Sequence, residues 1–249
     1  MRRILNYGLL IVSCMLLLFT AASFSGQPVK KGKLTIHFIN TANGKHIILN
    51  DYTYTNAFGE RYSISKLKYY VSDLTLSGNK DDKGNDNCFL IDASSPQNDI
   101  ELAIPAGNYN TLFFLLGVDS MKNCSGAQTG ALDALNGMFW TWNSGYVVFK
   151  LEGSSTASTA DLNRIEQHIG GYRNGNNVST KIGLSFHEIK VSANTNLLIT
   201  VEVDLDKYWK GNNDTRISDI PVCTSPGAAA KKIAANFQGL FSIKNISAQ

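Results

Sequence analysis

The chain has 249 residues, a formal net charge of +3 at pH 7 and four histidines. Its lysines and arginines are scattered, and no glycine-rich phosphate loop occurs, which argues against a nucleic-acid-binding protein. The length is sufficient to bury the core of one β-rich domain.

The N-terminal region has the features of a secretory signal peptide. Arg2 and Arg3 precede an apolar run over residues 9–19, and small residues follow between residues 21 and 25. This order of positive, apolar and small residues is typical of an export signal that is removed from the mature protein. The chain is therefore predicted to be periplasmic or secreted.

The domain boundaries follow from this signal. Residues 1–25 are predicted to be the signal peptide and residues 26–249 a single mature domain. A lipoprotein cleavage box ending at Cys14 is the alternative, although the apolar run continues beyond that cysteine. No later stretch has the 18 or more apolar residues that a spanning helix needs, so the mature chain is predicted not to span a membrane.

Strands are predicted along most of the first half of the chain. Apolar residues alternate over residues 34–40, the Asn43-Gly44 pair is typical of a tight turn, and residues 46–49 fit the returning strand. Residues 62–76 are rich in β-branched and aromatic residues, which favours a strand. Residues 109–118 are almost wholly apolar, as in a strand that is buried on both faces.

The second half continues this pattern with one long interruption. Residues 119–137 are predicted to form a long loop with a short helix near residues 131–135, and loops of this length are often functional. Further strands are predicted, together with one helix over residues 226–237. These strands cover residues 145–152, 182–191, 197–205 and 241–243. The whole pattern predicts an all-β fold, an antiparallel β-sandwich of the Greek-key or immunoglobulin-like type with one or two short helices.

Three cysteines remain after removal of the signal: Cys88, Cys124 and Cys223. An exported protein can form disulfides, but an odd number leaves at least one thiol unpaired within the chain. Cys124 and Cys223 both lie in loop-like sequence and are the predicted pair. No CxxC motif supports a zinc ribbon.

The segment over residues 137–146, GMFWTWNSGY, is the most distinctive part of the chain. In a strand, Trp140 and Trp142 would stand side by side on one face, with Met138 near them. One interpretation is a hydrophobic core with an aromatic girdle. The other is an aromatic and sulfur-lined site for a soft ligand such as copper.

Histidines are the other candidate ligands. His168 precedes Gly170-Gly171, where glycine lets the backbone turn sharply and approach a ligand closely. His37 lies within the first predicted strand, and His46 begins the returning strand, so the two are candidates to approach each other. His187 is predicted on the solvent face of a strand. Each histidine also has the simpler interpretation of an exposed side chain.

A calcium site formed by oxygen ligands is a second, less favoured possibility. Asp119 and Asp133, with Ser120 and Asn123, form an oxygen set that suits calcium, while the alternative is that these side chains cap turns. No GxSxG, HExxH or cysteine–histidine motif appears, so the sequence predicts no enzyme.

Six segments share a further pattern. They are YYVS at 69–72, GVDS at 117–120, SGAQTGALD at 125–133, GMFWTWNSGY at 137–146, HIG at 168–170 and VDL at 203–205. Together they resemble the family of MbnP-like periplasmic copper-binding proteins, relatives of the MopE and CorA proteins. The resemblance extends from about Lys33 to Ile243.

The resemblance implies a β-sandwich, export and no enzyme activity of the protein's own. It implies copper held by histidines and by a tryptophan that a separate di-haem partner of the peroxidase type has oxidised to kynurenine. Carried over to this chain, the tryptophan is Trp140 or Trp142, the best-matched histidine is His168, and the second histidine is His37. Unmodified indole is a poor metal ligand, whereas kynurenine offers an aryl amine and a ketone.

Two functions remain open at this point. The first is an exported copper-binding protein for copper acquisition or storage, with its site near Trp140 and His168. The second is a cell-surface β-sandwich module for adhesion or for binding a carbohydrate or protein, without a metal.

Overall fold

The computed structural model describes residues 31–78, 85–126, 128–141, 143–173 and 175–248. The predicted signal peptide, the alternative lipoprotein box at Cys14 and the candidate ligand Trp142 lie outside the described residues. Within the described ranges, no helix is long and apolar enough to cross a membrane.

Strands dominate the described residues. They are β1 (Lys31–Ala42), β2 (Lys45–His46), β3 (Thr53–Thr55), β4 (Arg61–Gly78), β5 (Asn85–Asp92), β6 (Asp99–Pro105), β7 (Gly107–Leu116), β8 (Phe139–Thr141), β9 (Gly145–Ser155), β10 (Arg164–Gly170), β11 (Thr180–Val191), β12 (Asn196–Asp204), β13 (Val222–Cys223) and β14 (Phe241–Ala248). The short α-helices are α1 (Ser120–Cys124), α2 (Asp206–Trp209), α3 (Ala228–Ala234) and α4 (Phe237–Leu240). Three-residue 3-10 helices cover Gly130–Leu132, Ala134–Asn136 and Asp161–Asn163.

The first sheet is built around β1. It has the order β14-β12-β1-β2, and β6 also pairs with β1. The β1–β12 pair is parallel, from Lys33 opposite Asn196 to Thr41 opposite Asp204, whereas β2, β6 and β14 pair antiparallel. Alternate residues of β1 are buried, which confirms the period-two pattern in its sequence.

The second sheet is larger and has the order β11-β7-β4-β9-β10-β13, with β3 and β5 paired to β4 and β8 paired to β9. Its central strand β4 pairs with β9 through its first half and with β7 through its second half. The β10–β13 pair is parallel. The predicted β-sandwich is confirmed, but both sheets are mixed, so the expectation of purely antiparallel pairing is corrected.

The main core lies between the two sheets. Phe38 of β1 contacts Tyr69 of β4 and Phe114 of β7 edge-on, with ring centroids 6.2 and 5.9 Å apart. The last helices close one end, where Phe149 stacks on Tyr208 with centroids 5.3 Å apart. Such aromatic pairs combine large apolar burial with specific ring geometry.

A second, smaller apolar cluster lies on the outer face of the second sheet. Its buried members are Tyr70, Val118, Leu132, Met138, Tyr146 and Val147. The segment between β7 and β8 covers it: the Tyr70 hydroxyl donates to the carbonyl of Ala131 at 2.9 Å, and the Tyr146 hydroxyl to that of Leu132 at 2.8 Å. The described part of the long loop is therefore a packed cap, which we call the outer cap (residues 119–126 and 128–141).

The three cysteines of the described residues are all unpaired, so the predicted Cys124–Cys223 disulfide is wrong. Cys223 is buried in the main core on β13, whereas Cys124 is exposed at the end of α1 in the outer cap. The two thiols belong to different layers of the molecule, and a disulfide needs Cα atoms within about 7 Å.

Candidate metal centre

The segment that contains Trp140, residues 137–146, is called the tryptophan segment. It begins where the outer cap returns to the second sheet. Gly137 adopts a left-handed conformation with φ +71° after the 3-10 helix, and a glycine there avoids the steric cost of a Cβ. The short strand β8 then pairs with β9, and the amide of Val147 donates to the carbonyl of Met138 at 2.8 Å. Met138 is wholly buried in the outer cluster, whereas Trp140 is only half-buried.

Trp140 lies directly over Gly170 of β10. A Cβ built on Gly170 would come within 2.9 Å of Cζ3 and 3.1 Å of Cη2 of the indole, so only glycine leaves room for the ring. Gly170 is two residues from His168 on the same strand, and such residues share one face about 7 Å apart. The structure therefore brings Trp140 and His168 to the same outer face of the second sheet.

Charged side chains form two adjacent rows across this face. In one row Lys68 of β4 is opposite Lys150 of β9, which is opposite His168 of β10. In the next row Lys66 and Glu166 flank Glu152. The rows border the apolar cluster, so His168 lies at the boundary between an apolar and a charged surface.

His168 is held by a carboxylate. Its Nε2 lies 2.9 Å from Oε1 of Glu152, and 13% of the imidazole side chain is exposed. Burial and the positive charge of Lys150 lower the pKa of His168 below its usual value, against the opposing effect of Glu152. An Nε2–H donated to Glu152 leaves Nδ1 as the nitrogen with a free lone pair, the arrangement that carboxylates impose on metal-binding histidines.

Glu152 itself stays ionised to low pH. Burial acts to raise its pKa, but hydrogen bonds from Lys66 and His168 outweigh this effect and lower the pKa. Lys66 Nζ lies 2.9 Å from Oε2, and Lys150 Nζ lies 3.9 Å from Oε1. The carboxylate is thus occupied by cations and by the imidazole.

Lys150 and Glu152 also belong to this face, although no motif in the sequence identifies them. Lys150 is nearly buried, and its ammonium donates to the carbonyl of Gly137 at the start of the tryptophan segment. Burial lowers the pKa of Lys150, which the charge of Glu152 partly offsets. The signal available in the sequence was a lysine between Phe149 and Leu151, within the otherwise apolar and aromatic run YVVFKL at residues 146–151.

The structure does not bring His37 to this site. Ile36 and Phe38 point into the main core, so His37 faces outward from the first sheet, where Nδ1 contacts Oδ1 of Asp99. His168 faces outward from the second sheet. Since packed sheets are about 10 Å apart, the two imidazoles are on opposite sides of the sandwich and share no ligand.

The two other histidines are exposed. His46 is opposite Thr41, four residues along β1 from His37, so the predicted approach of His37 and His46 does not occur. His187 lies exposed on β11, as the solvent-face interpretation predicts. In the part of the chain that the structure describes, no three histidine, cysteine, aspartate or glutamate side chains gather as a metal cluster.

The oxygen ligands considered for calcium serve the outer cap instead. Asp119 caps α1, accepting from the amides of Met121 at 2.8 Å and Lys122 at 3.0 Å. Asp133 caps a 3-10 helix by accepting from the amide of Leu135 at 2.9 Å. The turn-capping interpretation is confirmed, because side-chain oxygens of this kind satisfy the free amides of a first turn.

Fold and site together define a two-sheet β-sandwich that presents an aromatic segment beside a carboxylate-bonded histidine on its outer surface. A family profile for MbnP matches residues 31–225, and the chain belongs to the MbnP family. The resemblance seen in the six sequence segments is thereby confirmed. Membership associates the chain with copper at the level of the family.

A solved structure gives the same fold. MbnP from Methylosinus trichosporium is 15% identical, with a TM-score of 0.57 over 88% of this chain and 99% of that chain. At this identity the likeness concerns the fold. Comparison with curated protein sequences gives no match.

Proposed function

We propose that this chain is an exported copper-binding protein for copper acquisition or storage, with its site on the outer face of the second sheet. The observation that carries the proposal is the placement of His168 and Trp140 on one face, with the imidazole fixed by Glu152 and the indole lying over Gly170. Membership of the MbnP family supports copper over other metals.

His168 would bind copper through Nδ1, since Nε2 is committed to Glu152. Imidazole suits copper in both oxidation states. One imidazole is an incomplete ligand set, and indole N–H is a donor only. We therefore propose that Trp140 or Trp142 contributes after oxidation to kynurenine, whose amine and ketone can bind a metal. His37 is not included, because it faces the opposite side of the sandwich.

In this proposal the chain has no catalytic activity of its own. Oxidation of the tryptophan is assigned to a separate partner of the di-haem peroxidase type, and export is assigned to the signal peptide that the sequence predicts. The incomplete burial of Trp140 supports such a partner, because part of the side chain is accessible from solvent.

The test is a copper titration of the purified protein before and after treatment with an oxidising partner, with intact mass to detect tryptophan oxidation. We expect about one copper per oxidised chain, and a loss of affinity of at least tenfold in His168→Ala. His37→Ala is the matched control and should bind as the wild type does. Equal affinity in the wild type and His168→Ala would refute the proposed site.

A further inference from the structure

Lys150 is a nearly buried charged residue between two apolar neighbours in its strand. Its neighbours Phe149 and Leu151 point into the main core, while Lys150 faces the outer side of the sheet with only 9% of its side chain exposed. Burying an ammonium group costs free energy unless it is paired and hydrogen-bonded. The partners of Lys150 therefore indicate what the residue does.

These partners connect two parts of the candidate site. The ammonium donates to the carbonyl of Gly137 and lies 3.9 Å from Oε1 of Glu152. The same Oε1 is 2.9 Å from Nε2 of His168. A continuous chain of polar contacts thus runs from the start of the tryptophan segment to the imidazole.

Gly137 is the point at which this connection acts on the tryptophan. It is the left-handed residue that ends the second 3-10 helix of the outer cap, and β8 with Trp140 begins two residues later. Fixing the carbonyl of Gly137 therefore fixes where the segment starts its path over β10. The other end of the segment is already paired to β9.

We propose that Lys150 is a positioning residue, which holds the tryptophan segment over the sheet at a fixed place relative to His168. This inference rests on the proposed function for its purpose, because a tryptophan-derived ligand and an imidazole must converge on one ion. Ligands of a metal site depend on such supporting contacts, whose loss typically costs 10–100-fold in affinity. The contacts of Lys150 themselves do not depend on copper.

Lys66 provides a matched control. It carries the same charge and binds the same carboxylate, with Nζ 2.9 Å from Oε2 of Glu152, but 44% of its side chain is exposed. Its ion pair joins β4 to β9. Substituting either lysine by methionine removes one positive charge beside Glu152, but only Lys150→Met removes the donor to Gly137.

The first experiment is hydrogen–deuterium exchange on the copper-free, untreated protein. We expect several-fold faster exchange in peptides covering residues 137–146 in Lys150→Met, wild-type exchange in Lys66→Met, and recovery in Lys150→Arg, which keeps N–H donors. Wild-type exchange in Lys150→Met, or equal acceleration in both methionine variants, would overturn the inference. If Lys150→Met does not fold, Glu152→Gln replaces it, because the neutral amide weakens the hold on Lys150. Unchanged exchange in that variant would overturn the inference.

The second experiment separates this inference from the copper proposal. After tryptophan oxidation, we expect copper affinity to fall about tenfold in Lys150→Met and to stay unchanged in Lys66→Met. If Lys150→Met binds copper normally while His168→Ala does not, the positioning role is wrong and the copper site stands. If His168→Ala also binds normally, the copper proposal fails, and the exchange result alone decides the role of Lys150.

Discussion

The indole of Trp140 rests on Gly170 so closely that a Cβ at that position would lie 2.9 Å from the ring and 2.7 Å from the carbonyl oxygen of Tyr146. We therefore predict that Gly170→Ala displaces Trp140 and destabilises the protein by about 1–3 kcal/mol, as overpacking does. Chemical denaturation would measure the loss, and tryptophan fluorescence the displacement. Gly239→Ala is the control, because an added Cβ there would meet no described atom within 4 Å beyond its chain neighbours and the backbone of its own helix. A stability equal to that of the control would contradict the close packing.

The hydrogen bonds of the Glu60 carboxylate should make the free energy of unfolding depend on pH. Its carboxylate accepts from the side chain of Asn56 at 2.6 Å and from the amides of Ile217 at 2.8 Å and Ser218 at 2.9 Å. Burial acts to raise the pKa of Glu60, but these hydrogen bonds outweigh it and lower the pKa below 4.5. Since the folded-state pKa is depressed, the stabilisation is present above about pH 4.5 and is lost as pH falls through the folded value.

Glu60→Gln should therefore cost about 1–3 kcal/mol at pH 7, because an amide N–H₂ cannot accept from the donors now bound by both carboxylate oxygens. The difference from the wild type should shrink below about pH 4. Urea denaturation at several pH values would test this. Glu101→Gln is the control, since Glu101 forms an exposed pair with Lys33 and its substitution should change stability by less than about 1 kcal/mol. A cost for Glu60→Gln that is independent of pH would argue against the ionised carboxylate.

Cys124 is predicted to be the fastest-reacting thiol of the described residues. It is exposed, and a hydrogen bond from Arg173, with Nη2 3.6 Å from Sγ, lowers its pKa together with the Tyr172 hydroxyl. Burial raises the pKa of Cys88 to about 12, and Cys223 is buried. Because the thiolate is the nucleophile, alkylation near pH 7 should label Cys124 first.

Arg173→Gln should slow this alkylation several-fold near pH 7 and have little effect well above the thiol pKa, where the thiolate is already formed. Peptide mass spectrometry after short iodoacetamide pulses would show both the site and the rate. Arg164→Gln, which removes an arginine paired with Glu166 instead, is the matched control. Faster labelling of Cys88 than Cys124 in the native protein would contradict the prediction.

The titration of His168 should respond to the charges around it. Burial and then the charge of Lys150 lower its pKa, so Lys150→Met should raise the pKa of His168. In the wild type, His168 is therefore protonated less readily in the folded state than in the unfolded chain. His168 therefore reduces stability as pH falls below the usual histidine value of about 6.5.

Nitrogen-15 NMR of the imidazole would follow this titration and assign the protonated nitrogen. Lys244→Met is the control, because Lys244 pairs with Glu202 on the first sheet. An unchanged or lowered pKa in Lys150→Met would show that Lys150 does not act on His168 through its charge.

Local features of the fold were predictable from local sequence. The alternation in β1 and the Asn43-Gly44 turn were correct because both depend on neighbouring residues; both turn residues adopt positive φ, 51° and 69°. The returning strand was too long, since β2 covers only Lys45–His46. The parallel partner of β1 lies more than 150 residues later, and no local pattern identifies such a pairing.

The arrangement of the candidate site was predictable to a similar extent. Trp140 and His168 were singled out by residue type and by flanking glycines, and the structure places them on one face. His37 was chosen without a geometric criterion, because one sequence does not reveal which outer face a strand residue occupies. Lys150 and Glu152 could not be identified from the sequence, because their proximity to His168 depends on the register in which β9 pairs with β10.

Trp140 and Trp209 differ in their accessibility to solvent. Trp209 is wholly buried in the main core, whereas Trp140 is partly exposed and packs against the smaller apolar cluster. A second macromolecule could therefore contact Trp140 without separating the two sheets. Under the proposed function, a covalent change at Trp140 would therefore leave the packing between the two sheets intact.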